Sequence, residues 1–190
     1  MHRLAFLFLL TLPAQGIELQ LYFSALQRLL AAQVFTQDGR LYVQGNAQNK
    51  CSFAYLENPV ISAAVPKLVI HAKFSGRSAR NLFGRCMGMG DSFDLAIAAI
   101  PFYKDGAIML RDIKVDSPNK DGFYIRRVRA AIADSLARQF SYSVAADAKR
   151  ILEQKRDPLY NQELHQFNIT GIRIAADSII VGLDFQLAVK

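Results

Sequence analysis

Few residues in this chain have the type and spacing to do chemistry. Gly90-Asp91-Ser92-Phe93 has the Gly-Asp-Ser order that presents a nucleophilic serine in one group of secreted esterases. Such a serine works only when a histidine, itself held by a carboxylate, takes its proton. The late histidine here is His165, preceded by Gln162, Glu163 and Leu164, so the Asp-x-x-His pairing is missing. A turn feeding a strand accounts for Gly-Asp-Ser equally well. No G-x-S-x-G, Walker loop, H-E-x-x-H or dinucleotide G-x-G-x-x-G occurs, and Gly84, Gly88 and Gly90 have the wrong spacing for the last. Beyond the leader, His71 and His165 lie far apart without metal-ligand spacing. Asp112 and Asp116 form no evident acid/base pair. The residues therefore point away from an enzyme: no catalytic residue, metal or cofactor is expected.

The two cysteines, Cys51 and Cys86, offer a different chemistry. In an oxidising compartment an even pair is more often bridged than free, the alternative being two unrelated buried thiols. A bridge would close a loop of about 35 residues, worth roughly 3–4 kcal/mol in the chain-entropy model.

The start of the chain supplies such a compartment. In MHRLAFLFLLTLPAQG, Arg3 is a positive n-region, Leu4 to Leu12 form a short apolar run, and Ala14-Gln15-Gly16 resembles a cleavage site. That is the pattern of a secretory signal peptide, too short to anchor the chain. The expected organisation is a signal peptide over 1–16 and a single domain over 17–190, periplasmic or secreted. No Cys follows the apolar run closely enough for lipid attachment. The chain has 190 residues, is 52% hydrophobic and carries a net charge of +7. Disorder is excluded by that apolar content. A polytopic membrane protein is excluded because no stretch reaches the ~20 apolar residues a spanning helix needs.

The elements follow from periodicity. Leu19, Tyr22, Phe23, Leu26, Leu29 and Leu30 mark an amphipathic helix over Leu19 to Ala32. Short strands are expected at Leu41–Gln44 and Ser52–Leu56. Leu68, Ile70, Ala72 and Phe74 share one strand face, and Phe93, Leu95, Ile97 and Ala99 share another. Pro101 should end or disturb the second ladder. Residues 76–90, with four Gly and three Arg, read as an exposed loop. Lys104-Asp105-Gly106 is a hairpin turn before a strand from Ala107 to Val115. A second, longer helix starts near Tyr124, with Ile125, Val128, Ile132, Leu136 and Phe140 on one face. A turn or two of helix spans Val144 to Glu153, and strands over Phe167–Ile174 and Ile179–Val189 close the chain. Short connections between consecutive strands imply antiparallel pairing.

The expected fold class is therefore α+β, a curved antiparallel sheet wrapped around a long amphipathic helix. In this order of elements the chain resembles the tubular lipid-binding (TULIP-like) superfamily, in particular its small bacterial periplasmic and lipoprotein-like members of unknown function. The resemblance is carried by the N-terminal helix, the hairpin FDLAIAAIPFYKDGAIMLRDIKV from Phe93 to Val115, and the long helix leading into a closing strand. It implies a single TULIP-like module without enzymatic activity, binding a lipid or other elongated apolar ligand in a helix–sheet tunnel. The candidate lining residues are Leu68, Ile70, Phe93, Leu95, Ile97, Ile132 and Leu136, which could equally pack on one another. Residues 126–156 hold eight basic and three acidic positions, so Arg126, Arg127 and Arg129 are candidates for anionic head groups or a membrane surface. A solvated helix face explains the same charges. The alternative function is a structural or interaction protein of the cell envelope, with a filled core and a basic partner-binding face. No nucleic-acid motif is present, so nucleic acid is not expected as a partner.

Overall fold

The computed structural model describes residues 17–117, 123–154 and 162–189. The expected signal peptide lies outside the described residues. In chain order the elements are β1 (Ile17–Tyr22), α1 (Phe23–Gln33), β2 (Arg40–Gln44), β3 (Ser52–Ala64), β4 (Lys67–Leu82), β5 (Arg85–Lys104), β6 (Ala107–Asp116), α2 (Phe123–Gln139), β7 (Tyr142–Ser143), α3 (Val144–Gln154), β8 (Gln162–Ile174) and β9 (Ser178–Val189). The strands form a six-stranded sheet in the order β2-β3-β4-β5-β6-β7 and a three-stranded sheet in the order β1-β9-β8. Every pairing is antiparallel.

This corrects the expected fold class. The chain is mostly β, a curled antiparallel sheet with three short helices, and among the described residues no long amphipathic helix organises it. Strand residues outnumber helical ones by more than two to one. The helix expected from Tyr124 onward, α2, has 17 residues, about 25 Å at 1.5 Å per residue. Strand β5 alone has 20 residues, about 66 Å at 3.3 Å per residue. The sheet therefore outruns its helices.

Two misread segments account for much of the difference. Ile17–Tyr22 is a strand paired to β9, from Ile17↔Leu183 to Tyr22↔Ser178, and helix begins only at Phe23. Leu19 satisfies strand alternation as well as the helical stripe, Leu21 fits only the strand, and the β9 edge settles the segment as strand. Residues 76–90 are not a loop but the far half of the β4–β5 hairpin, paired without a break from Leu68↔Ala99 to Leu82↔Arg85. Pro101 does not end β5 either. It pairs with Leu110 just past a register shift at Ala98/Ile100, beyond the last β4 partner, where β5 has a neighbour on one side only.

The core keeps the faces read from periodicity. Leu68, Ile70, Ala72 and Phe74 of β4 and Leu95, Ile97 and Ala99 of β5 are buried. They join Phe23, Leu26 and Leu30 of α1, Val128, Ile132 and Leu136 of α2, and Ile179, Val181 and Leu183 of β9 in one continuous cluster. Helix α2 packs on β6 and touches β2, while α1 packs on β3. The turn at Asp105-Gly106 has φ of 50° and 81°, the positive values a two-residue type I′ hairpin requires.

Two details of this fold can be checked by mutation. A Cβ built on Gly88 would lie 2.2 Å from the Ser78 carbonyl oxygen and 2.5 Å from Ala79 Cα. Gly88→Ala should therefore push β4 and β5 apart locally and lower stability by about 1–3 kcal/mol in a denaturant titration. Burial, reinforced by the charge of Asp147 and a hydrogen bond with it, raises the Tyr142 phenol above its ordinary value. A raised folded-state value favours the neutral phenol, so this stabilisation is complete below the unfolded pKa near 10 and is lost as pH rises through the folded value. Tyr142→Phe should consequently lose less stability than the parent between about pH 9 and pH 11, measured by unfolding midpoints.

Candidate ligand site on the uncovered inner face

Period-two alternation carries the core face of β4 and β5 beyond the helices. On β4 burial stops at Gly76, and every residue from Arg80 to Leu82 is exposed. On β5 it resumes only at Phe93 and Leu95. Directly opposed residues of an antiparallel pair share a face. Ser78 and Met89, Arg80 and Met87, and Leu82 and Arg85 are opposed, and all lie in phase with Phe74 and Phe93. The inner face thus emerges from under α2 as an uncovered strip on which Met89 is 85% and Met87 61% exposed. Asp91, opposite Gly76, marks its inner end.

Where the strip leaves the core, a cleft of about 440 Å³ opens between α2, β2 and β4. Val43, Gln44, Ser78, Arg127, Val128 and Ala131 line it. Apolar Val43, Val128 and Ala131 line it together with the Gln44 amide, the Ser78 hydroxyl and the Arg127 guanidinium, and the strip of Met87 and Met89 continues from it through Ser78. Methionine suits such a surface because its flexible thioether adapts to ligands of irregular shape.

The sheet narrows as it extends. Strand β3 accompanies β4 only as far as Ser52↔Ser78, and β6 accompanies β5 only from Ala96 onward. Beyond Ser78 the hairpin is two strands wide, a form marginal in water without support. The Cys51–Cys86 disulfide supplies that support: Cys51 precedes Ser52 at the end of β3, and Cys86 sits opposite Asn81 on the arm. The bridge expected from the cysteine count is therefore present, with a Cα–Cα distance of 5.1 Å. A second open hollow of about 560 Å³, lined by Gln44, Asn49, Lys50 and Asn81 among others, lies beside it.

The residues singled out from sequence fall in two places. Leu68, Ile70, Leu95, Ile97, Ile132 and Leu136 are buried in the core cluster, and Phe93 packs against it with its ring 4.8 Å from that of Phe74. They pack on one another, and the cleft is lined by other residues. Of the three arginines, Arg126 and Arg127 are exposed and Arg127 borders the cleft. Arg129 is half-buried and donates to Ser117 Oγ at 2.7 Å, an internal role. Further along the basic stretch, Arg138 pairs with Asp134 and Arg150 with Asp147 on their own helices. Lys155 and Arg156 lie outside the described residues.

Ser92 is on the outer face. Its hydroxyl donates to the Phe74 carbonyl at 3.0 Å and lies 3.3 Å from Ser75 Oγ. His71 Nε2 lies 3.2 Å from Ser62 Oγ, and His165 Nε2 lies 3.6 Å from a Glu163 carboxylate oxygen. Neither imidazole is among the hydrogen-bond partners of Ser92. Among the described residues no group of three His, Cys, Asp or Glu side chains could hold a metal ion.

Met87 and Met89 were not anticipated as surface-forming residues. The available signal was the alternation of Arg85, Met87, Met89 and Asp91 with Cys86, Gly88, Gly90 and Ser92, hidden by the glycine content. Comparison with known proteins found no matching family model, no matching curated protein and no matching solved structure, and nothing in it identifies a tubular lipid-binding family.

If the disulfide holds the arm, Cys86→Ser should leave the core intact and loosen the two-stranded part. Amide hydrogen exchange over residues 79–88 is expected to accelerate by roughly tenfold or more, with Ile97 and Val181 unchanged.

Proposed function

We propose that this protein is a non-enzymatic binder of an elongated apolar ligand, a lipid, which it seats in the α2–β2–β4 cleft and along the uncovered strip of Met87 and Met89. The observation that carries the reading is the continuation of the core face of β4–β5 past α2 as an exposed surface that sets Met87, Met89 and Leu82 among arginines, with Met89 85% exposed. A soluble domain that leaves such a surface in water forgoes the gain of covering it, and a ligand recovers that gain. Each acyl methylene buried there contributes about 0.8 kcal/mol, so ten would contribute roughly 8 kcal/mol before ordering costs. Arg127 at the rim and Arg80 beside Met87 favour a lipid whose head group is anionic.

The compartment is part of the proposal. The Cys51–Cys86 bridge is consistent with a location outside the cytoplasm. A periplasmic or secreted protein with residues 1–16 as its signal peptide is the finer reading, supported by the sequence pattern of those residues.

The test is native mass spectrometry of the purified protein, with organic extraction of what it carries. The parent should retain a lipid, and Met87→Asp/Met89→Asp should retain at least about tenfold less. A parent that carries no extractable lipid, or a double variant that carries as much as the parent, would refute the proposal.

A further inference from the structure

The tip of the β4–β5 arm departs from the turn chemistry used elsewhere in the same chain. Phe83 and Gly84 are its two central residues, at φ of 52° and 79°. Positive φ at both positions favours Asn-Gly or Asp-Gly, because a side chain in the left-handed region strains against its own backbone. Asp38-Gly39 and Asp105-Gly106 adopt the same pair of positive values and carry Asp at the first position. Of these three turns, the arm alone has an aromatic residue there. Phe83 is also fully exposed, at 103%, and its neighbour Leu82 is 47% exposed. A strained aromatic side chain held in water at the most distant point of a stapled hairpin serves no packing purpose within the molecule. Such strain is a pointer to function.

Charge identifies what would cover it. From Arg77 to Gly90 the arm carries Arg77, Arg80 and Arg85 and no carboxylate. Lys50 adds a fourth cation, since it adjoins Cys51 and is tied by the disulfide to Cys86. At about 3.4 Å per residue, Arg80 lies about 10 Å and Arg77 about 20 Å behind Phe83, with Arg85 closer to the tip. An apolar tip with Arg80 and Arg85 within about 10 Å of it matches a bilayer interface, where apolar side chains enter ~5–10 Å and cations meet the phosphates, and Arg77 adds to the attraction from farther back. The arm is two strands wide, so it offers a protein partner little area to bury.

We propose that the arm is a membrane anchor: Phe83 and Leu82 insert into the surface of an anionic bilayer while Arg80, Arg85 and Lys50 contact its phosphates. The disulfide keeps the tip extended toward that surface. Arg80 serves both readings, but Phe83 and Leu82 lie beyond the strip of Met87 and Met89, so the anchor is tested at the tip whether or not the cleft carries a lipid.

The chain has no tryptophan, so Phe83→Trp introduces a single indole at the tip, excited apart from the tyrosines at the red edge. With the oxidised full-length mature protein and protein-free vesicles of phosphatidylglycerol and phosphatidylcholine, the indole emission of this variant should shift to shorter wavelength. Lipids brominated near the head of the acyl chain should quench it. Vesicles of phosphatidylcholine alone should bind roughly tenfold or more weakly, as should Arg80→Glu/Arg85→Glu on the anionic vesicles. Phe83→Asn places a favoured residue in the turn, so it should fold at least as well as the parent yet lose flotation with anionic vesicles. Unchanged indole emission in the Phe83→Trp variant, or equal flotation of Phe83→Asn and the parent, would overturn the anchor, and a tip that answers only to a protein partner would give that result. Lipid retained by Phe83→Asn in native mass spectrometry reports on the cleft separately, so failure of one reading leaves the other measurable.

Discussion

A mismatch of length governs this molecule. A helix advances 1.5 Å per residue and a strand more than twice as far, so the 17 residues of α2 cannot cover hairpin strands of 16 and 20 residues. The limit of burial along β4–β5 and the exposure of the arm follow from that inequality. Where helix and sheet overlap, Phe74, Ile97, Ile132 and Leu136 exclude water completely. Where they do not, the same alternation of side chains continues into solvent and the face becomes a surface.

An uncovered hairpin needs other means of staying formed. The unbroken β4–β5 register supplies hydrogen bonds, and Gly88 allows the two backbones to approach closely. The Cys51–Cys86 bridge acts at the position where the third strand stops, which is where a two-stranded ribbon would otherwise begin to fray. Ordering the unfolded chain through a 35-residue loop is worth about 4 kcal/mol in the chain-entropy model. The bridge thus serves the exposed arm more than the core, which is already packed by α1, α2 and β9.

Much of the core was legible in the sequence because burial imposes a period. The alternating faces of Leu68–Phe74, Phe93–Ala99 and Ile179–Leu183, and the α2 stripe from Ile125 to Phe140, are where regular spacing predicts them. The readings that failed lie where periodicity was ambiguous or masked. Leu19 fits both a helix and a strand, and only the edge of β9 makes it strand. Glycine and arginine between Gly76 and Gly90 mimic a loop, yet a strand with one exposed ribbon face tolerates both. The candidate site was less legible than the core, since Leu68, Ile70 and their neighbours share residue types with any ligand-lining surface. Burial in one cluster separates them from Val43, Met87 and Met89.

The sequence alone therefore determined the local facts that depend on near neighbours. These are the faces of the core strands, the apolar stripe of α2 and the Asp-Gly turn at 105–106. Its cysteine count also favoured a bridge. Tertiary structure alone decided that Ile17–Tyr22 joins a sheet, that the helices stop short of the hairpin, and that Met87, Met89 and Phe83 face solvent rather than a packing partner. The reason is physical: alternation specifies which side of a strand is apolar, but whether anything covers that side depends on elements distant in the chain and on their relative lengths.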